Sequence, residues 1–217
     1  MIADYTKIDG VVAIGFFAIC MLFLHLAGQI LIRFNLDVAV PFVLATIALV
    51  FVIIRIHKQG IKTIGITKSH LLRSSLVGLV LSAPFVVFAV IPRISAITQQ
   101  IQPLDVLYSI FFYLVIVSFG EEIVFRGYIQ PRLHGLIWHN FSAIIVGGVM
   151  FSLMHIPFQA ALYYFHHEQP WLGWANPMQW LVWIGMHVVF NAIYRKYNSL
   201  AGPVILHFFV NFTIVFF

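Results

Sequence analysis

Seven long apolar runs constrain this chain more than any other feature of its sequence. Each is close to the roughly 20 residues that a helix needs to cross the hydrocarbon core of a bilayer. The sequence therefore predicts an all-α fold, a polytopic transmembrane bundle of seven to eight helices with a polar intramembrane cavity. The runs fall at about 10–32, 38–56, 75–92, 104–120, 139–156, 177–195 and 198–217.

Composition supports one integral-membrane domain over residues 1–217. The chain is 62% hydrophobic and only 9% charged, whereas soluble domains carry about 25% charged residues. Too few charges remain to cover a surface that faces water. The single cysteine, Cys20, lies in an apolar run, which argues against a disulfide framework and a thiolate zinc cluster. No small-residue cleavage site follows the first run, so we expect it to be a retained helix rather than a signal peptide.

The lysines and arginines predict the orientation of the bundle. With a cytoplasmic N-terminus and alternating segments, ten basic residues fall on the cytoplasmic side and two, Arg33 and Arg93, fall on the far side. Cytoplasmic connections carry an excess of Lys and Arg, so this split predicts a cytoplasmic N-terminus in the cell (inner) membrane. It also accounts for the net charge of +5 without a nucleic-acid partner. The ten cytoplasmic residues are Lys7, Arg55, Lys58, Lys62, Lys68, Arg73, Arg126, Arg132, Arg195 and Lys196.

Two adjacent carboxylates, Glu121 and Glu122, follow the fourth apolar run, and Arg126 comes four residues after the second. An ionisable group at membrane depth is costly and marks a functional site by default. On a helix, residues four apart share a face, so Glu122 can neutralise Arg126. Glu121 points about 100° away from Glu122. We expect Glu121 to find its partner on another helix or in water.

Two further pairs of polar or aromatic residues occur at helical spacing inside apolar runs. Phe151 and His155 are four residues apart near the end of the fifth run, and His207 and Asn211 are four apart in the last run. Buried His and Asn often hydrogen-bond between membrane helices. Taken alone, each pair is as compatible with helix packing as with catalysis.

Together, the three motifs carry a family resemblance. Glu-Glu-x-x-x-Arg, Phe-x-x-x-His and His-x-x-x-Asn, in this order on three apolar segments, resemble the CAAX protease and bacteriocin-processing family of intramembrane glutamic endopeptidases, related to the type II CAAX prenyl protease. The resemblance covers about 105–217. Residues 1–104 show only compatible hydropathy.

The resemblance implies an intramembrane endopeptidase that uses neither metal nor other cofactor. Glu121 and His155 would activate a water for attack on a peptide carbonyl, and His207 and Asn211 would form the oxyanion hole. Glu122 and Arg126 would support the site. The implied partners are the lipid bilayer and a peptide or protein substrate, which in such a family includes membrane-associated and lipidated substrates.

Two other functions remain open at this point. A zinc-dependent membrane protease would use Glu121, His155 and His207 as ligands, although the usual His-Glu-x-x-His signature is absent. A non-catalytic immunity or scaffold protein would bind a membrane peptide without cutting it.

A second His-x-x-x-Asn, at His187 and Asn191, competes for the third motif. The turn Tyr194-Arg-Lys-Tyr-Asn-Ser-Leu200 directly precedes the segment that bears His207. A similar turn precedes the third motif in the family, which favours the His207 pair. We expect His187 and Asn191 to pack helices or to line the cavity.

Depth sets a condition on the proposed site. In simple perpendicular spans, Glu121 lies near the cytoplasmic end of the fourth helix and His155 near the far end of the fifth, roughly 25 Å apart. The two side chains must instead lie close together. Either the fourth helix continues through Arg126 towards Arg132, or the fifth is tilted or short. The first solution costs less, because Glu122 makes Arg126 tolerable at depth.

Overall fold

The computed structural model describes residues 5–93, 102–158, 160–161 and 176–215, and regular structure in these ranges is entirely helical. This confirms the predicted fold class. A 3₁₀ turn, Ile61–Ile64, lies between the second and third long helices. The long helices are α1 Lys7–Phe34, α2 Ala39–Ile56, α3 Leu71–Phe85, α4 Leu104–Leu133, α5 Asn140–Met154, α6 Pro177–Tyr197 and α7 Ala201–Val215.

Five of the seven helices, α1 to α5, are long and apolar enough to cross a membrane, counting the helical extensions of α3 to Ala89 and of α5 to Phe158. The other two differ from ordinary spans. Helix α7 is apolar but has only 15 residues. Helix α6 has 21 residues, but polar residues such as His187 and Asn191 lower its hydropathy. Both of these side chains are buried, so the polar face of α6 is turned into the bundle.

Helix α4 forms the centre of the bundle. Most residues of its first half are exposed or only partly buried, whereas every residue from Glu122 to Gln130 is buried. It is wound as a π-helix over Phe112–Phe119 and Ile123–Ile129, on either side of the two carboxylates. Such windings are rare and occur frequently at functional sites. The helix continues without interruption past Arg126 to Leu133, as the depth argument predicted.

This course of α4 corrects one part of the charge count. Arg126 and Arg132 lie inside the helix and are buried, not in a loop at the membrane surface. Arg132 is held by carbonyl acceptors within α4: its Nη1 donates to the backbone carbonyl oxygen of Tyr128 at 2.9 Å. Its Nη2 donates to the side chain of Gln59. Removing these two residues from the ten leaves eight basic residues against Arg33 and Arg93, so the charge bias keeps its direction.

A network at one end of the bundle joins α1, α2 and α4. Thr6 caps α1 in a capping box with Asp9, which satisfies exposed backbone donors at the helix start. Gln59, just after α2, donates to Asp9 Oδ1 at 2.9 Å and accepts from Arg132 at the end of α4. We call this the basic end of the bundle, because Lys7, Arg55, Lys62 and Arg195 belong to the segments that begin or finish there.

Small residues bring α3 and α7 into close contact. Gly78 faces Gly202 so closely that a Cβ atom at Gly78 would lie 2.5 Å from the Gly202 oxygen. The hydroxyl of Ser74, one turn earlier on α3, accepts from the Gly202 N–H at 2.9 Å. Small residues allow membrane helices to approach in this way. The contact fixes the start of α7, the helix that carries His207.

Candidate active site

The predicted ion pair within α4 is present and completely buried. Arg126 Nη1 lies 3.0 Å from Glu122 Oε1, and neither side chain is exposed. The guanidinium carbon is 4.4 Å from the ring centre of Phe151 and 5.0 Å from that of Phe190. Cation–π attraction is strongest where the cation is desolvated. Charge neutralisation and aromatic contact together let α4 carry an arginine inside the bundle.

His207 connects the two adjacent carboxylates. Its Nδ1 is 2.8 Å from Glu122 Oε1, and its Nε2 is 3.7 Å from Glu121 Oε2. Because a carboxylate oxygen accepts, Nδ1 carries the hydrogen in the contact with Glu122. The ring is therefore fixed in orientation, and its other nitrogen faces Glu121.

His155 is oriented by its own helix and by α6. Its Nδ1–H donates to the Phe151 carbonyl at 2.8 Å, and its ring packs edge-on against the Phe151 ring at 5.0 Å. The ring of Trp183 stacks on the imidazole, 4.5 Å away and nearly parallel. The carbonyl contact leaves Nε2 of the neutral imidazole with a free lone pair. That atom lies 4.0 Å from Glu121 Oε2.

Glu121 is thus the point on which the two histidines converge. Its side chain is 21% exposed and that of His155 is 16% exposed, whereas His207 is almost fully buried. Glu121 borders a cavity of about 60 Å³ between α1, α2, α4 and α5. Most of the other residues lining this cavity are apolar, including Cys20, Phe23, Phe42, Val124 and Met154.

Three of the four predicted catalytic residues therefore lie together: a ring nitrogen of His155 and one of His207 each lie within 4.0 Å of Glu121 Oε2. The fourth, Asn211, lies one turn beyond His207 on α7 and is half-buried. The separation between Glu121 and His155 that a simple hydropathy topology would impose does not exist, because α4 extends to Leu133.

His187 and Asn191 serve elsewhere in the bundle. The ring of His187 is buried, and its Nε2–H donates to Gln130 Oε1 at 2.8 Å. Gln130 in turn donates to the Ala143 carbonyl at 3.2 Å, which ties α4 to α5 and α6. Asn191 lines a second cavity, of about 320 Å³, at the basic end. Both placements agree with the expected roles in packing and cavity lining.

Sequence reasoning missed three residues that shape the site: Gln130, Trp183 and Phe190. Gln130 had a detectable signal, because Glu122, Arg126 and Gln130 continue one four-residue spacing along α4. Trp183 precedes His187 by the same spacing. The ring of Phe190 lies 5.1 Å from that of His207, a contact between two helices that no local pattern indicates.

The chemistry available at this site is that of a carboxylate and two imidazoles in a poorly hydrated interior. Such groups transfer protons at neutral pH and stabilise developing negative charge. Over the described ranges, no group of three or more His, Cys, Asp or Glu side chains is arranged to hold a metal ion.

A family model, described as type II CAAX prenyl endopeptidase Rce1-like, matches residues 103–213. This range covers slightly more than half of the 217 residues and contains all three motifs. Comparison with curated proteins and with solved structures gives no match. The family match confirms the resemblance seen in the motifs and agrees with the helical, membrane-embedded architecture. The chain is thus an integral membrane protein that belongs to the Rce1-like family of CAAX endopeptidases.

Proposed function

We propose that this protein is an intramembrane endopeptidase that hydrolyses a peptide bond with a water activated by Glu121 and His155. The observation that carries the proposal is the convergence of His155 Nε2 and His207 Nε2 on Glu121 Oε2, at 4.0 and 3.7 Å. These residues come from three different helices, α4, α5 and α7. Helix packing alone does not require a partly exposed carboxylate between two imidazoles.

The separation between Glu121 and His155 suits a shared water. A distance of 4.0 Å is too long for a direct hydrogen bond, but a water about 2.8 Å from each group fits between them. Glu121 Oε2 makes no hydrogen bond within the described residues, so it is free to accept one. The lone pair of His155 Nε2 provides the second acceptor, because Nδ1–H is committed to the Phe151 carbonyl.

His207 and Asn211 supply the oxyanion hole in this proposal. Glu122 accepts from His207 Nδ1–H, which turns Nε2 towards the space beside Glu121, and in the proposed reaction Nε2 donates to the oxyanion from the doubly protonated ring. The amide of Asn211, one turn further along α7, adds a second donor. Donors fixed in a dry site stabilise the charge that develops on the carbonyl oxygen, at about 2.7–4 kcal/mol for each donor.

The proposed reaction proceeds in two steps. Water adds to the peptide carbonyl carbon, its proton passes to Glu121, and the carbonyl oxygen takes the negative charge beside His207 and Asn211. The carbon–nitrogen bond then breaks as the leaving nitrogen takes a proton from the Glu121 and His155 pair. The products are a carboxylate and an amine, and no covalent enzyme intermediate forms.

We further propose that the substrate is a membrane-associated or lipidated peptide or protein, and that the basic end of the bundle faces the cytoplasm at the inner membrane. The eight-to-two distribution of surface Lys and Arg supports this orientation. The apolar cavity beside Glu121 supports an apolar side chain or lipid group next to the cleaved bond.

The decisive experiment compares wild type, Glu121→Gln and His25→Gln in proteoliposomes supplied with farnesylated CAAX peptides and with a membrane-peptide extract. His25 lies exposed on α1, so His25→Gln controls for a change at a histidine outside the site. We expect Glu121→Gln to lose about 10²–10⁴-fold in cleavage rate, while His25→Gln keeps wild-type rates. Full activity in Glu121→Gln would exclude the proposed base.

Two further outcomes separate the remaining candidate functions. Loss of cleavage after treatment with a strong zinc chelator, with recovery on adding zinc, would support a zinc protease in which Glu121, His155 and His207 are ligands. A Glu121→Gln protein that keeps its full cellular effect without cleaving any peptide would support a binding or immunity role. We expect neither, and activity should survive the chelator.

A further inference from the structure

We propose that the cavity at the basic end binds a phosphate-bearing anion, at a site separate from the Glu121 centre. The cavity has a volume of about 320 Å³, which is within the range of about 300–1,000 Å³ typical of small-ligand sites. It lies where the segment before α1, the 3₁₀ turn and the ends of α4 and α6 meet. These segments provide Tyr5, Lys62, Gln130, His134, Asn191 and Arg195 to its wall.

The charge of the cavity wall favours an anion. Lys62 and Arg195 line the cavity, and the described residues of its wall include no acidic side chain. Neither cation forms an ion pair with any residue that the structure describes. By contrast, the nearby Arg132 is already occupied by the Tyr128 carbonyl and by Gln59. Two unneutralised cations that face one cavity attract an anion.

The cavity wall also includes an unsatisfied hydrogen-bond donor. Asn191 is only 1% exposed, and its Nδ2 has no hydrogen-bond partner among the described residues. A buried amide without a partner carries a desolvation cost, so native proteins rarely leave one unexplained. Because Asn191 lines the cavity, an acceptor oxygen bound there would satisfy this donor.

These donors suit the hydrogen-bonding geometry of a phosphate. The Arg195 guanidinium can donate two parallel hydrogen bonds to a phosphate, a geometry that arginine favours. Lys62 adds a point charge and Asn191 an uncharged donor, so three donor types surround one site. Basic pockets between membrane helices commonly hold anionic lipid head groups. A lipid head group and a free phosphate present the same chemistry, and only experiment separates them.

The competing explanation is that these basic residues only set the orientation of the chain. A comparison of Arg195 with Lys196 tests it. Lys196 is adjacent on α6 and carries the same charge, but it is exposed and lies outside the cavity wall. Orientation should depend on both residues alike, whereas a binding site depends on Arg195 alone.

The experiment uses the full chain, purified in a non-ionic detergent, and measures affinity for three probes at constant ionic strength. They are short-chain phosphatidylglycerol, short-chain phosphatidylcholine as a zwitterionic control, and inorganic phosphate. We expect wild type to bind phosphatidylglycerol or inorganic phosphate in preference to phosphatidylcholine. We expect Arg195→Gln to weaken that binding about tenfold, the effect of losing one charge-assisted contact, and Lys196→Gln to leave it unchanged.

A second variant keeps the test independent of folding. Asn191→Leu removes the unsatisfied amide with little change of shape, so the ligand-free protein should unfold at the same or a higher temperature. Its affinity for the anion should nevertheless fall. Preferential binding of the lipid, without competition from inorganic phosphate, would identify a head group; equal binding of phosphate would identify a free anion. Absence of binding to both, or equal losses in Arg195→Gln and Lys196→Gln, would overturn the proposal.

Discussion

His207 Nδ1 lies 2.8 Å from Glu122 Oε1, the same oxygen that is paired with Arg126 Nη1 at 3.0 Å. One buried carboxylate oxygen therefore serves two partners, one on its own helix and one on α7. Glu122 neutralises the guanidinium that α4 carries into the bundle, and it fixes the imidazole that faces Glu121. Glu122 therefore has a structural role, whereas Glu121 is the carboxylate placed for catalysis in the proposed function.

We predict that Glu122→Gln destabilises the protein more than any uncharged substitution at Glu121. The amide does not neutralise Arg126, and a buried charge that loses its partner costs about 3–5 kcal/mol. Glu121 is partly exposed, so its neutralisation as Glu121→Gln leaves no comparable buried charge. Chemical or thermal unfolding in detergent, followed by circular dichroism, measures the difference.

A double variant provides the control for Glu122. In Glu122→Gln/Arg126→Met the buried charge is absent, while the Gln oxygen still accepts from His207 Nδ1–H. Replacing a buried ion pair by groups of similar volume is often neutral, so the double variant should recover most of the stability that the single variant loses. Equal instability of the two proteins would show that the ion pair is not the cause.

Much of the architecture could be predicted from the sequence, because it depends on local patterns. Hydropathy alone located the helices, and four-residue spacing predicted the Glu122–Arg126 pair and the contact of Phe151 with His155. The depth conflict between Glu121 and His155 also predicted that α4 continues past Arg126. Each of these inferences uses the spacing of residues along one helix or the lengths of neighbouring helices.

The remaining features depend on contacts between helices and on winding, which no local pattern encodes. The sequence did not indicate that one ring, His207, contacts both carboxylates, because that requires the packing of α7 on α4. It did not predict the π-helical winding around Gly120–Glu122. The charge distribution used to predict orientation also treated Arg126 and Arg132 as surface residues, because a charged residue at the end of an apolar run usually faces water.

We predict that Trp183 positions His155 for catalysis without contacting the substrate. Its indole stacks on the imidazole at 4.5 Å. Trp183→Ala should therefore lower kcat by up to about 10²-fold through misplacement of Nε2, with little change in KM. Steady-state kinetics with a cleaved peptide measure both parameters. Trp183→Phe keeps an aromatic face and should restore most of kcat; equal losses in both variants would argue against stacking as the cause.

We predict that His134 makes the folded protein less stable as the pH falls. Burial, and then the neighbouring Arg195, lower the pKa of His134 from its ordinary value of 6.5. The unfolded chain therefore binds the proton more tightly, and stability is lost as the pH falls from about 6.5 towards the lower pKa of the folded state. Unfolding midpoints should be measured across this window for wild type and for His134→Gln. The difference between the two midpoints should be smallest at the high end of the window, and as the pH falls the variant should become the more stable of the two.

Arg195→Gln gives an independent check on the cause of the His134 effect. Without the guanidinium, only burial lowers the pKa of His134, so the loss of stability at low pH should be smaller than in wild type. An unchanged pH dependence in both His134→Gln and Arg195→Gln would assign the acid sensitivity to other groups.

We predict that Gly202→Ala disrupts the seam between α3 and α7 and, through it, the active site. A Cβ atom at Gly202 would lie 2.5 Å from the Ser74 carbonyl oxygen and 2.8 Å from the Ser74 hydroxyl. The carbonyl belongs to the backbone of α3, so relieving this clash requires the two helices to move apart. Overpacking of this kind costs about 1–3 kcal/mol. Because His207 lies on the same helix as Gly202, a shift of α7 should also lower the cleavage rate.

Gly185→Ala is the matched control for this prediction. Gly185 lies on α6, and a Cβ atom there would meet nothing within 4 Å. Alanine in a helix interior is more favourable than glycine by about 0.5–1 kcal/mol, so Gly185→Ala should unfold at the same or a higher temperature and keep its cleavage rate. The two variants make the same chemical change, and only the one at the α3–α7 seam should reduce stability and activity together. Similar behaviour of the two would mean that α7 does not depend on the close contact with Ser74 to hold His207 beside Glu121.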